Sequence, residues 1–155
     1  MKTFFVGILI LSAVVGQCAV VLAQASEVTI TELNTAEEYV LIKNTGDTPV
    51  NLKGWVLHDH DYGKARIYSY TFTFDEFWLQ PGEVLQMQSG KNKSRDGEDE
   101  QIQKHPDATH YLRWSDRSVW NDRCDIAYLE DDQGALVAEK HQGTEIEQGK
   151  REQCR

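Results

Sequence analysis

Apolar residues along most of this 155-residue chain recur every second position rather than every third or fourth. Alternation is clearest in YSYTFTF, where Tyr68, Tyr70, Phe72 and Phe74 share one face and Ser69, Thr71 and Thr73 the other. That period is the mark of a half-buried strand. The pattern starts at Val28 and Ile30 in SEVTITEL. In EYVLIKN, Tyr39 and Leu41 alternate with Val40 and Ile42, so both faces are apolar and a central strand is expected. Turn chemistry separates the strands: NTGDTP at 44–49, Lys53-Gly54 before Trp55, and LQPGE at 79–83 before VLQM. Near the end, DIAYLE and ALVAEK flank Asp131-Asp132-Gln133-Gly134, a hairpin with glycine where positive φ is needed. Residues 88–110 are polar and charged with no period, and read as a mobile surface excursion. Seven to nine short strands and no long helix predict an all-β, antiparallel sandwich.

The first 25 residues break this pattern. One lysine precedes a long uncharged apolar run, and Ala23-Gln24-Ala25 supplies small residues at a cleavage spacing, as in a secretory signal peptide. The run Phe4 to Ala23 comes near the ~20 residues that span a bilayer, so an uncleaved N-terminal anchor is the alternative. Cys18 hints at a lipoprotein site, but Gln17 stands where a small residue belongs. The expected organisation is a signal peptide over 1–25, one sandwich domain over 26–141 and a polar tail over 142–155, with no membrane span in the mature chain and an extracellular or envelope location.

Composition then narrows the partners. Sixteen lysines and arginines face 25 acids, and removing the leader takes away one lysine and no acid, moving the formal charge from −9 to −10. An acidic chain repels phosphate backbones unless it carries a basic patch, and KNKSR at 91–95 runs straight into DGEDE, so direct nucleic-acid binding is not expected. Two cysteines survive cleavage, Cys124 and Cys154, and an exported pair of this kind is expected to close. For a loop of about 31 residues that bridge would contribute roughly 3–4 kcal/mol.

The blocks ITELN (30–34), EYVLIKNTG (38–46), VNLKGWVLHD (50–59), YTFTF (70–74), LQPGEVLQM (79–87) and VWNDRCDIAYLEDDQGALV (119–137) occur in an order that resembles the lamin tail domain, an immunoglobulin-like module also found in exported prokaryotic proteins. The resemblance implies a scaffold that binds partners rather than a catalyst, and names no ligand. Two departures stand out: Cys124 where the family often has glycine, and a charged stretch at 88–110 longer than a minimal member needs.

Candidate chemistry is sparse. HDHD at 58–61 offers His58 and His60 as a pair of metal ligands for an exported hydrolase. An extended chain, however, throws Asp59 and Asp61 to the opposite face, and a catalytic zinc needs a third ligand, for which His105, His110 and His141 have no telling spacing. The plainer reading is a strand exit at Asp59 and a turn at Asp61-Tyr62-Gly63. NKSRDGEDEQIQ (92–103) imitates a calcium loop through Asn92, Ser94, Asp96 and Gly97, but its first ligand is neutral and Gln103 replaces the closing glutamate; weak binding by Asp96, Glu98, Asp99 and Glu100 is the most it offers. Trp55, Trp78, Trp114, Trp120 and Tyr111 could stack on sugars, with Trp55 expected in the core, and Trp114 and Trp120 in the core or at its rim as the most exposed of the set. No nucleophile elbow, zinc-protease helix or phosphate loop is present, and neither catalysis nor a cofactor is expected. The partner expected is a protein or a cell-envelope component.

Overall fold

The computed structural model describes residues 27–60, 70–90, 104–121 and 124–143. Within them the chain forms ten strands and no helix: β1 (Val28–Asn34), β2 (Tyr39–Asn44), β3 (Val50–Asn51), β4 (Val56–His58), β5 (Thr71–Thr73), β6 (Trp78–Leu79), β7 (Val84–Gln88), β8 (His110–Arg113), β9 (Asp125–Glu130) and β10 (Leu136–Gln142). The first sheet runs β1-β2-β7-β8 and the second β10-β9-β4-β5, with β3 and β6 pairing as a short ribbon. Residues 1–26 and 144–155, which include the expected signal peptide and most of the expected tail, lie outside the described residues. Among the described residues no helix is long and apolar enough to cross a membrane.

The two sheets seal through alternate residues. Ile30, Leu33, Val40, Ile42, Leu85 and Met87 from the first meet Leu57, Ala127 and Leu129 from the second in one buried cluster. Leu52, Leu79, Phe74 and Trp120 fill its ends. Fully burying an aliphatic side chain stabilises by about 1.5–3 kcal/mol, so this row supplies the main favourable term. The expected turns hold, with Gly54, Gly82 and Gly134 at positive φ.

One pair departs from the antiparallel expectation. β7 and β8 run parallel, with Leu85 opposite His110 and Gln88 opposite Arg113. Parallel neighbours need a crossover of a dozen or more residues, which gives the long charged stretch a topological reason to exist. Its described C-terminal part, 104–109, is largely exposed but tied to the sheet by hydrogen bonds, with Ala108 buried; 91–103 lie outside the described residues. The His105 N–H donates to Gln86 Oε1 at 2.7 Å, Thr109 N–H to the Val84 carbonyl at 2.8 Å, and the His105 ring lies 5.7 Å from that of Tyr39. This segment reaches the first sheet on the side away from its partner, where Tyr39, Leu41 and Val84 make a second small cluster. Hence β2 is buried on both faces.

Buried polar groups stitch the loops to this frame. Glu38, in the β1–β2 turn, is buried and sits at φ 63, a left-handed conformation that costs a non-glycine residue about 1–2 kcal/mol. Its Oε2 accepts from Ser89 Oγ (2.7 Å), Val119 N–H (2.8 Å) and Trp120 N–H (3.2 Å). Its carbonyl accepts from Ser89 N–H at 2.8 Å and Gln88 Nε2 at 3.1 Å. Gly90 must be glycine here: φ is +77°, and a Cβ would stand 3.0 Å from Glu38 Cγ. At the opposite end of β2, Asn44 Nδ2 donates to the carbonyls of Leu79 (2.9 Å) and Thr48 (2.8 Å).

Tyr39 donates its hydroxyl to Glu32 Oε1 at 2.5 Å, and burial, then that carboxylate, pushes the phenol up to about 12 from 10. A raised value means stability fully present below pH 10 and lost as pH rises toward about 12. Urea titrations across that window are expected to show a falling limb that Tyr39→Phe flattens; identical limbs would contradict the bond. Glu38→Ala is expected to destabilise by about 3 kcal/mol, since it orphans two buried amides and a hydroxyl; Glu38→Gln, keeping one acceptor oxygen, should lose less in the same titrations.

Candidate functional site

HDHD falls where β4 ends. His58 is its last residue, Asp59 and His60 follow, and Asp61 lies outside the described residues. As the pleat requires, His58 and His60 share a face. That face looks away from the other sheet: Leu57 and Leu129 belong to the main core, whereas Cys124, Ile126 and Tyr128 form a separate cluster. Tyr128, opposite His58 in the β4–β9 register, takes both imidazoles against its ring, His58 at 5.1 Å and 19°, His60 at 6.4 Å and 27°.

The fold engages His58 Nδ1, the His60 amide and the Asp125 carboxyl around this stack. His58 Nδ1 is 2.8 Å from the Asp59 carbonyl, which only accepts, so the proton sits on Nδ1. Nε2 lies 3.4 Å from Glu130 Oε1, a contact that is an ion pair only when the imidazole carries both protons. His60 Nδ1 is 3.5 Å from the Tyr128 hydroxyl, and the His60 backbone N–H donates to Asp125 Oδ1 at 3.3 Å. Asp125, almost fully buried, also accepts from Asn121 N–H (2.9 Å) and Ile126 N–H (2.7 Å). Burial pushes its carboxyl above the usual range against the pull of those three amides.

The other histidines do not join the pair. His105 and His110 belong to the first sheet's side, His105 Nε2 3.7 Å from Glu32 Oε2 and His110 Nε2 2.9 Å from Glu83 Oε2. The Gln80 N–H and then His110 hold the Glu83 carboxyl below its usual range. His141 is on β10 opposite Ile126, 3.1 Å from Glu139 Oε1. Among the described residues no group of three or more His, Cys, Asp or Glu is placed to hold a metal ion. The calcium-like stretch 92–103, with Asn92, Ser94, Asp96, Glu98, Asp99, Glu100 and Gln103, lies outside the described residues.

Cys124 is buried, 3% exposed, against Ile126 and Tyr128; Cys154 lies outside the described residues. The tryptophans depart from expectation in which of them is exposed. Trp120 is 3% exposed and part of the core, with Trp114 half-buried against it at 5.4 Å. Trp55 also packs half-buried against the core. Trp78 is the exposed one, at 52%. The apolar run Phe77-Trp78-Leu79 conceals the alternation that points it outward. Glu38 and Asp125, which do most to fix the loops, carried no sequence signal, since a lone acid in a turn looks like any solvated one.

Because Asp125 titrates higher in the fold than in the open chain, its contribution is fully present below pH 3.8 and is lost as pH rises through the folded value. Denaturation of wild type and Asp125→Asn between pH 3 and 7 should therefore show the wild type losing stability relative to the variant as pH rises. A relative gain would contradict the burial effect.

With this geometry in place, comparison with known families finds that the lamin tail domain model matches residues 22–144. A search of curated proteins finds no match.

Proposed function

Since the chain belongs to the lamin tail domain family, we propose that it is an exported, non-catalytic binding or scaffolding module whose partner is a protein or a cell-envelope component. The family makes it an immunoglobulin-like module; export, binding and the absence of catalysis are the proposal. One observation carries the non-catalytic reading. Acids and imidazoles that a reaction would use are engaged in holding backbone: Glu38 on Val119 and Trp120, Asp125 on His60, Asn121 and Ile126, His58 on Asp59. A general base must be within hydrogen-bond reach of a substrate proton, and these oxygens already accept amides.

Export is supported by the leader pattern, and with it the closure of Cys124 on Cys154. Such a bridge would anchor the polar tail next to the Tyr128 stack, since Gln142 pairs with Asp125 beside Cys124.

Crosslinking of the native protein in its own cell fraction, with partners identified by mass spectrometry, tests the function. A reproducible envelope or protein partner is expected; a monomer that crosslinks to nothing contradicts the reading. The same sample should begin at Ser26 and yield a non-reduced peptide joining Cys124 to Cys154. Reduction should lower its melting temperature, and free thiols at both positions would refute the bridge.

A further inference from the structure

Trp78 sits on the β3–β6 ribbon, and the pairing of that ribbon decides which way it faces. Val50 pairs with Leu79 and Asn51 with Trp78. Leu79 is fully buried and Val50 packs against the core, so Asn51 and Trp78 share the outward face. The indole is 52% exposed yet oriented: Nε1–H donates to Glu76 Oε1 at 3.3 Å. Asn51 lies directly across the ribbon, its Oδ1 accepting the Lys53 N–H at 3.0 Å. Its Nδ2 has no acceptor among the described residues.

We propose that this face binds a pyranose unit of a polysaccharide, with Trp78 as the stacking platform and Glu76 and Asn51 as hydrogen-bonding groups at its edge. The occupant follows from what surrounds the ring. Phe77 packs inward and Leu79 is buried, so the indole is a single flat apolar surface with polar neighbours. A protein hot spot needs a desolvated cluster of anchors around it, which this face lacks among the described residues. Glu76 on the ring, on a chain of net charge −9, repels anionic headgroups and phosphates. A sugar ring matches instead: one face of C–H groups lies on the indole, while equatorial hydroxyls at its rim donate to a carboxylate and accept from an amide. A strand-borne, hydrogen-bonded tryptophan is already ordered, so little side-chain freedom is lost on binding.

This inference rests on the binding reading above and names the ligand class within it. Sedimentation of the full mature protein with insoluble peptidoglycan, chitin and cellulose is the first test. Saturation-transfer NMR with soluble chitohexaose and cellohexaose is the second. Retention on at least one of these probes is expected, falling roughly tenfold or more in Trp78→Ala. Glu76→Ala should weaken it less, and Trp78→Phe should keep part of it. Because Trp78 is a surface residue, melting temperature is expected to stay unchanged, which separates lost binding from lost folding. No retention on any probe, or equal retention of Trp78→Ala, overturns the proposal. If the cellular partner is still crosslinked in either case, the module's binding role stands and the sugar assignment alone fails. Loss of a protein partner in Trp78→Ala without saccharide binding likewise overturns it.

Discussion

The Glu38 carboxylate is the point on which the loops at one end of the sandwich depend. It holds the β1–β2 turn, the end of β7 and the approach to β9 at once, through Ser89 and the amides of Val119 and Trp120. Charge-assisted bonds to a buried carboxylate are about twice as strong as neutral ones, enough to offset the left-handed backbone at Glu38 itself. Apolar burial makes the two sheets adhere, but it does not say where Trp120 enters the core. The carboxylate does. Asn44 does the same work at the other end of β2, tying the following turn to β6.

Topology places a second demand on the chain. β8 joins the first sheet parallel to β7, so the chain must return along the sheet before it can pair again. Residues 104–109 make that return against Gln86, Tyr39 and Val84, and cover a face that would otherwise expose apolar side chains. These residues are thus part of the architecture.

Fold class was legible because period-two alternation and glycine turns survive in a single sequence: Phe72 and Phe74 turn inward together, and Gly134 takes the positive φ its hairpin needs. The parallel pair was not legible, since strand direction depends on partners far along the chain. Nor were Glu38 and Asp125, because a carboxylate shows its role only when distant amides are brought to it. For the site, sequence placed His58 and His60 on one face, and Tyr128 completes the stack from another strand by register. Trp78 was hidden by apolar neighbours on both sides, and only the β3–β6 pairing separates the outward residue from the inward ones.

Native-state hydrogen exchange on the amides of Val119, Trp120, His60, Asn121 and Ile126 tests directly whether the buried acids serve the fold. Held by Glu38 and Asp125, these amides should exchange only through large-scale opening, with protection approaching that of the β2 core. Exchange as fast as the β9–β10 turn would mean that the two carboxylates are available for other work, and the scaffold account would not stand.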